Sequence, residues 1–349
     1  MYSLESAYPV LRGRLKRWPL LKGYTPVKEI SGCAASSLWI KRDDLTHAVY
    51  GGNKVRKLEL ILGRARDQGV KRLVTFGAAG THHGVATAYF AREADLATTL
   101  ILFDQPSTPS VALSLQLMAS LGAEIWYRRS LAATVLSYAL EAPLRHPQAM
   151  RLFAGGSCVE GGLAFINAAF ELADQVEAGT LPRPDHMVVA VGSAATLAGL
   201  AAGIALQGWP TRITGVRVAP AYLGPWQVCT AATVQTQVNR LRRYLQQSHI
   251  HLPEVHFFLD EEEYGAGYGR ATDAGKKASQ HFQAVTGLSL DETYTAKSFA
   301  AALRYQQKFP DENLLYWHTL SSADPQPLIK AEAVDRLPAA LRRNYHLAL

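Results

Sequence analysis

The sequence predicts an α/β fold built on open, mostly parallel β-sheets. Short, continuous apolar runs recur along the chain, and helical patterns alternate with them. Such runs are typical of strands buried on both faces, as in parallel sheets. The predicted strands are Leu73–Phe76, Thr98–Phe103, Met187–Val191, Ile213–Val218 and Leu314–Trp317.

The helical segments between these runs complete a repeated strand-then-helix order. The predicted helices are Lys54–Asp67, His83–Ala94, Ser110–Leu121, Gly161–Ala178, Thr196–Leu206, Ala271–Thr286 and Ala296–Lys308. Glycine-rich stretches near Tyr50–Lys54 and Ala154–Leu163 are the predicted domain boundaries. They give a large domain of residues 1–53 and 164–349 and an inserted small domain of residues 54–163.

Composition limits the classes of partner. Charged residues make up 19% of the 349 residues, below the usual ~25%, which favours burial at subunit contacts and hence an oligomer. The net charge of +7 comes without an aromatic-interleaved basic motif, so no nucleic-acid partner is expected. Three scattered cysteines fit a reducing cytoplasm. Without a signal pattern or a long apolar stretch, we expect a soluble cytoplasmic protein with no membrane partner.

The segment Tyr50–Leu58 is the most informative part of the chain, because it places Lys54 behind two glycines at the start of an amphipathic helix. A lysine that forms a Schiff base needs an uncharged amine, and the helix dipole disfavours the ammonium form there. Lys54 is therefore a candidate covalent cofactor anchor. Taken alone, the pattern also fits a solvated surface lysine.

Two glycine-rich turns each follow a predicted strand and open a predicted helix. Gly192-Ser193-Ala194-Ala195-Thr196 offers backbone N–H groups and hydroxyls, which suit a phosphate dianion, although Ser193 and Thr196 could merely cap the helix. Gly77–His83 offers the hydroxyl of Thr81 and two imidazoles. Adjacent histidines point about 100° apart on a helix, so no metal site is expected there.

Two tyrosines lie among small residues before predicted helices, in Tyr264–Gly269 and Asp291–Lys297. Near a cationic cofactor, a tyrosine with a lowered phenol pKa could act as an acid or a base. Ordinary packing of Tyr268 and Tyr294 is the alternative.

In this order, the segments resemble the 1-aminocyclopropane-1-carboxylate deaminase and D-cysteine desulfhydrase family of fold-type II pyridoxal-phosphate enzymes. The matching segments are Lys41–Asp44, Gly51–Leu58, Gly77–His83, Gly192–Thr196, Gly267–Gly269, Tyr294–Lys297 and His318-Thr319. The resemblance implies a tryptophan synthase β-like fold with two open, mostly parallel sheets, the cofactor pyridoxal 5'-phosphate and a homodimer.

The resemblance also implies roles for individual residues. Lys54 would hold the cofactor and remove the substrate's α-proton, while Thr81, Tyr268 and Tyr294 would complete the catalytic set. The remaining cofactor contacts would come from Asn53, His82, Gly192, Ser193, Ala194, Ala195, Thr196, and Thr319 or, second in order, Thr295. A hydroxyl facing the pyridine nitrogen makes the cofactor a weaker electron sink than a carboxylate does, which favours β-elimination.

The chain departs from the family pattern in the turn Gly80-Thr81-His82, where relatives carry Gln-Ser-Asn, and at Val85, which replaces an arginine. Thr81 keeps a hydroxyl, whereas His82 is bulkier and titratable. The expected function is a lyase that acts on a small amino acid by α,β-elimination. Ring opening, β-replacement or racemisation of an unusual amino acid, and a non-catalytic binding protein, are the alternatives.

Overall fold

The computed structural model describes residues 3–30 and 37–347, so Cys33 lies outside the described residues. The chain forms two compact units. Unit 1 comprises Met1–Leu15, Leu20–Lys57 and Cys158–Ala323, and unit 2 comprises Lys16–Pro19, Leu58–Ser157 and Asp324–Leu349. The domain limits expected from the sequence stay a prediction.

Strands and helices alternate along most of the chain. The strands are β1 (Val27–Glu29), β2 (Leu38–Arg42), β3 (Arg72–Ala78), β4 (Ala97–Phe103), β5 (Glu124–Arg128), β6 (Met150–Arg151), β7 (His186–Val191), β8 (Arg212–Arg217), β9 (Tyr222–Leu223), β10 (Trp226–Gln227), β11 (Phe258–Asp260) and β12 (Leu314–His318). The helices are α1 (Ser3–Ala7), α2 (Asn53–Asp67), α3 (His82–Glu93), α4 (Pro109–Ser120), α5 (Leu131–Leu136), α6 (Ala142–Arg145), α7 (Val159–Glu177), α8 (Ala195–Leu206), α9 (Ala231–Gln246), α10 (Asp273–Thr286), α11 (Thr295–Lys308) and α12 (Ala339–Asn344).

Unit 1 contains a six-stranded sheet in the order β1-β2-β12-β7-β8-β11. All neighbours in it are parallel except the edge pair β1 and β2. β7 and β12 are buried along their whole length, as expected for strands covered on both faces. One core cluster packs β2, β7, β8 and β12 against α10 and α11, with Phe282, Phe299 and Tyr316 among its largest side chains.

Unit 2 contains a four-stranded sheet in the order β5-β4-β3-β6, with parallel neighbours throughout. Its core includes Val74, Phe76, Ile101 and Trp126. Two mostly parallel sheets with flanking helices confirm the predicted fold class. Each of the five predicted strands and seven predicted helices forms, with ends that differ by at most two residues.

Helices α7 and α8 pack closely against each other, and this packing positions the turn between β7 and α8. A Cβ atom at Gly199 of α8 would lie 2.3 Å from the backbone oxygen of Gly162 in α7, and one at Gly203 would lie 2.4 Å from the Cβ of Ala169. Only glycine permits this approach. α8, which follows β7 directly, is thereby held rigidly against α7.

Among the described helices, none is both long and apolar enough to cross a membrane.

Candidate active site

Two glycines fix the backbone just before Lys54, the second residue of α2. A Cβ atom at Gly51 would lie 1.9 Å from the backbone oxygen of Asp44, a contact that no side chain tolerates. Gly52 has a φ angle of +96°, and its Cβ would lie 2.8 Å from the backbone oxygen of Thr319. Glycine is therefore required at both positions, and the start of α2 is clamped between two loops of unit 1.

The amine of Lys54 is partly buried and only weakly paired. Its Nζ donates a hydrogen bond of 3.0 Å to Oδ1 of Asn53. Burial lowers the pKa of Lys54 to about 8, and the nearby Asp291 carboxylate acts in the opposite direction. A substantial fraction of the amine is neutral near physiological pH, as a nucleophilic lysine requires.

The turn after β7 leads into the N-terminus of α8. Ala194, the residue before α8, has a φ angle of +64° and provides no side-chain cap. The N–H groups in the first turn of an uncapped helix point outward without an intrahelical acceptor. The predicted phosphate loop Gly192–Thr196 thus has the donors that an anion needs.

Asn53 connects the lysine to this turn. Its backbone N–H donates to the backbone oxygen of Thr319 at 3.1 Å, and its side-chain Nδ2 donates to Oγ1 of Thr196 at 3.4 Å. Its Oδ1 accepts the hydrogen bond from Lys54 described above. Unit 1 therefore brings together Lys54, the predicted phosphate loop and the loop after β12.

Tyr268 and Tyr294 form a hydrogen-bonded pair. Their hydroxyl oxygens lie 2.5 Å apart, and their rings meet edge to face with centroids 6.0 Å apart. Burial raises the pKa of Tyr268 to about 12 and also raises that of Tyr294. The rings are partly buried and Asp291 adds negative charge, and both effects raise the phenol pKa values in the protein alone. A lowered phenol pKa beside a cationic cofactor stays a prediction. In this protein the pair is a neutral hydrogen-bonding unit.

Asp291 organises the loop that carries Tyr294, and it was not predicted from the sequence. Its Oδ1 accepts from the backbone N–H groups of Thr293 (3.0 Å) and Tyr294 (2.7 Å). Its Oδ2 accepts from the backbone N–H (3.2 Å) and the hydroxyl (2.6 Å) of Thr295. An aspartate shortly before a helix is a known capping signal, so its position could have been found. Its electrostatic effect on Lys54 depends on tertiary structure.

Lys297 ties the other tyrosine segment to α11. Its side chain is fully buried, and its Nζ donates to the backbone oxygens of Tyr264 at 2.7 Å and Gly267 at 3.3 Å. Tyr268 follows Gly267 directly, so Lys297 holds the loop that presents it.

A buried ionic cluster lies on the other side of the first turn of α2. The guanidinium of Arg56 donates to Asp43 at 2.7–2.9 Å and to Glu171 at 2.7–3.0 Å. Glu171 also pairs with Lys41 at 2.6 Å, and Asp43 accepts from the indole N–H of Trp317 at 2.8 Å. All five side chains are buried. The cluster joins α2 to β2, β12 and α7.

The two threonines considered for the cofactor ring differ in their availability. The hydroxyl of Thr295 is fully buried and donates to Asp291. Thr319 is partly exposed and follows His318, whose pKa burial lowers to about 4. His318 is therefore neutral at physiological pH, and Thr319 is the one of the two threonines that is not fully buried.

Thr81 and His82 belong to unit 2. Thr81 is the N-cap of α3, and its Oγ1 accepts from the backbone N–H of Gly84 at 3.2 Å. His82 is the first residue of that helix and is partly exposed, whereas His83 is buried. The capping role that the sequence left open for Thr81 is present.

Among the described side chains, no group of three histidine, cysteine, aspartate or glutamate residues could hold a metal ion.

Comparison with known proteins gives a consistent result. The family model described as "Pyridoxal-phosphate dependent enzyme" matches residues 19–319. Nocardicin C-9' epimerase of Nocardia uniformis is 30% identical over 326 residues, which cover 89% of this chain and 94% of that protein. D-cysteine desulfhydrase of Salmonella schwarzengrund is 28% identical over 88% of this chain and 94% of its own.

Solved structures agree with the sequence relatives. An ACC deaminase homologue superposes with a TM-score of 0.78 at 25% identity, covering 95% of this chain and 98% of that one. The family model spans most of the chain, and the predicted resemblance is confirmed. This chain therefore belongs to the pyridoxal-phosphate-dependent enzymes, and its cofactor is pyridoxal 5'-phosphate.

Proposed function

We propose that this protein is a lyase that removes a substituent from the β-carbon of a small amino acid and releases a 2-oxo acid and ammonia. The observation that carries the proposal is the Lys54 amine, which is made partly neutral by burial and is held beside an uncapped helix N-terminus through Asn53. The similarity to D-cysteine desulfhydrase supports elimination as the reaction class.

The residues of unit 1 fit the cofactor. The uncapped first turn of α8 suits a phosphate dianion, and Ser193 and Thr196 can add hydroxyl donors. Gly192 leaves open a space that a Cβ atom would fill, 3.1 Å from the ring of Tyr294. We infer that Gly192–Thr196 hold the phosphate, while Asn53 and Lys54 contact the other end of the cofactor.

Pyridoxal phosphate, when bound, supplies the electron-withdrawing ring that weakens the bonds at the substrate's α-carbon. The Lys54 amine attaches the cofactor and, once released, accepts the α-proton at Nζ. Asn53 keeps this amine oriented by its 3.0 Å hydrogen bond. Because Asp291 favours the protonated amine, it helps Lys54 to retain the proton after transfer.

The tyrosine pair orients the reacting molecule. With pKa values above the physiological range, Tyr268 and Tyr294 act as neutral hydrogen-bond donors to the substrate or its leaving group. In their mutual hydrogen bond, one of the two hydroxyls donates and the other accepts. Thr319, whose hydroxyl is not committed to Asp291, is our choice for the pyridine nitrogen over Thr295.

Thr81 and His82 remain candidates through the resemblance alone. We propose that Thr81 binds the substrate carboxylate and that His82 contacts the cofactor. A Thr81→Ala variant that raises KM without changing cofactor content would support the role of Thr81. An unchanged KM would remove Thr81 from the site.

The test of the main proposal compares wild type with Lys54→Ala and with Lys276→Ala, a matched lysine that is exposed on α10. Each protein is incubated with D- and L-cysteine and other small amino acids, and sulfide, 2-oxo acid and ammonia are measured. We expect turnover in wild type and in Lys276→Ala, and none in Lys54→Ala. Full turnover by Lys54→Ala would refute the mechanism.

Epimerisation is a second candidate, because the relative at 30% identity is an epimerase. It would require α-proton removal and return on the opposite face without loss of a β-substituent. Chiral analysis of substrates incubated in D2O separates the two reactions: inversion with deuterium incorporation indicates epimerisation, whereas 2-oxo acid and ammonia indicate elimination.

We also propose that the enzyme is a homodimer in the cytoplasm. The low share of charged residues supports burial of surface at a subunit contact, and the three scattered cysteines suit a reducing compartment.

A further inference from the structure

The turn between β3 and α3 is held by the segment that follows β4. The backbone N–H of Ala79 donates to the backbone oxygen of Phe103 at 2.9 Å. The next N–H, that of Gly80, donates to the side-chain oxygen Oε1 of Gln105 at 3.0 Å. All four residues belong to unit 2. The backbone of the turn is therefore tied to a side chain that lies 25 residues further along the chain.

The Gln105 amide occupies the space where a side chain at position 80 would begin. A Cβ atom at Gly80 would lie 3.0 Å from Nε2 and 3.3 Å from Oε1 of Gln105, and 2.9 Å from Cγ2 of Val111. These distances are shorter than the roughly 3.5–4.0 Å of an ordinary non-bonded contact. The glutamine of the family pattern at position 80 would thus have to displace Gln105. Glycine at position 80 and glutamine at position 105 form one arrangement.

The backbone of Gln105 is itself fixed by Tyr345, the residue after α12. The buried phenol oxygen of Tyr345 accepts from the backbone N–H of Gln105 at 3.0 Å and donates to the backbone oxygen of Gln105 at 3.0 Å. The side chain of Gln105 therefore extends from an anchored backbone. It loses less conformational freedom on bonding to Gly80 than a glutamine in a free loop would lose.

The turn presents Thr81 in a defined orientation. A Cβ atom at Gly77 would lie 2.8 Å from Oγ1 of Thr81, and one at Gly84 would lie 2.5 Å from its methyl carbon Cγ2. The absence of both Cβ atoms makes room for the threonine. Its Oγ1 accepts from the N–H of Gly84 at 3.2 Å, which leaves the hydroxyl proton to donate elsewhere. Movement of Gly80, the residue before Thr81, would redirect this donor.

We propose that Gln105 is a positioning residue for the substrate site. Its amide holds Gly80 and thereby fixes the direction in which Thr81 donates its hydroxyl proton to the substrate carboxylate. This inference rests on the proposed function, in which Thr81 binds that carboxylate. Gln105 acts through the turn, so it affects how tightly the substrate is bound and leaves the cofactor in place.

Hydrogen exchange of the full-length holoenzyme tests the contact itself. Wild type is compared with Gln105→Ala and with Gln116→Ala, a matched control at a partly exposed glutamine of α4 in the same unit. In Gln105→Ala, the amide of Gly80 should exchange about three- to tenfold faster, the equivalent of one ordinary hydrogen bond. Exchange of the turn in Gln116→Ala should equal that of wild type.

Steady-state kinetics test the link to the substrate. Gln105→Ala should raise KM about three- to tenfold, with kcat and cofactor content unchanged, because one binding interaction is misdirected. In a Thr81→Ala background, Gln105→Ala should raise KM no further, because it acts through that hydroxyl. Gly80→Ala should also raise KM, and its effect should be smaller when Gln105→Ala has removed the competing amide.

The outcomes separate this inference from the proposed function. If exchange of the turn or KM is unchanged in Gln105→Ala, the inference is refuted and the proposed lyase activity is unaffected. A rise in KM of the same size with and without Thr81 also refutes it, because Gln105 would then act elsewhere. An unchanged KM in Thr81→Ala refutes the proposed role of Thr81 and the link from Gln105 to the substrate. A wild type without turnover refutes the proposed function, whereas faster exchange in Gln105→Ala still supports Gln105 as the residue that holds the turn.

Discussion

Removing the charge of Asp291 should make the Lys54 amine easier to deprotonate. The carboxylate of Asp291 favours the protonated form of Lys54, whereas burial disfavours it. An Asp291→Asn change keeps an oxygen that can accept from the backbone N–H of Tyr294, so the start of α11 should persist. It removes the negative charge, and the pKa of Lys54 should fall further below its present value.

The size of the effect can be judged from the wild-type pKa. Burial lowers the pKa of Lys54 from 10.5 to about 8, which raises the neutral fraction of the amine at pH 7 about 300-fold. Cofactor uptake by the apo-protein needs that neutral amine. Its rate in wild type should therefore rise with pH and level off above about pH 8. In Asp291→Asn, the midpoint should move to lower pH, and uptake at pH 7 should become faster.

The assay follows the visible absorbance band of the bound cofactor after mixing apo-protein with excess pyridoxal phosphate, at pH values from about 6 to 9.5. Glu292→Gln is the matched control, because Glu292 is an exposed neighbour and loses the same charge. The pH midpoint of cofactor uptake in Glu292→Gln should equal that of wild type. A midpoint for Asp291→Asn that is unchanged or moves to higher pH would refute the electrostatic link between Asp291 and Lys54.

Three further predictions concern the scaffold of the site. Asp43→Ala removes a partner of the buried guanidinium of Arg56, so urea denaturation should show a free energy of unfolding that is lower by about 3–5 kcal/mol. The decrease should be smaller for Asp43→Asn. Ala194→Gly relieves a positive φ angle, so thermal unfolding should show a free energy of unfolding that is higher by up to about 1 kcal/mol. Ala195→Gly, at the first residue of α8, relieves no such strain and should show no gain. Lys297→Met releases the loop that carries one tyrosine of the pair; steady-state kinetics should show a higher KM with cofactor content unchanged.

The strands that were predicted from the sequence are those with continuous apolar runs. β7 and β12 are buried at every position, and their mostly apolar sequences indicate this burial. β2 was not predicted, because it ends in Lys41 and Arg42. Arg42 pairs with Asp44 two residues further on, but Lys41 is buried against Glu171, which is distant in sequence. α9 was also missed, although its buried Val234, Val238, Leu241 and Leu245 follow a helical spacing. Its many glutamine and threonine residues hid that pattern.

The candidate site was predictable where short motifs carry the chemistry. Lys54 and the loop Gly192–Thr196 were both identified as candidates from local patterns of glycine, hydroxyl and lysine residues, and unit 1 links them through Asn53. Asp291 and Lys297 were not identified, because their importance depends on partners that tertiary structure brings close. The raised pKa of Tyr268 likewise depends on burial, which the surrounding small residues do not reveal.

The position of Lys54 depends on Asp43 as much as on the glycines beside it. The backbone oxygen of Asp43 accepts from the N–H of Gly52 at 2.8 Å, while its carboxylate holds Arg56 of α2 and the indole of Trp317 in β12. One residue thus fixes the turn before the lysine, the helix that carries it and the strand that leads to Thr319. A glycine-glycine-asparagine-lysine sequence without this buried partner would lack the fixed backbone that orients the amine. The specificity of the motif therefore lies in its pairing with the segment Lys41–Asp44, which supplies that partner from the turn after β2.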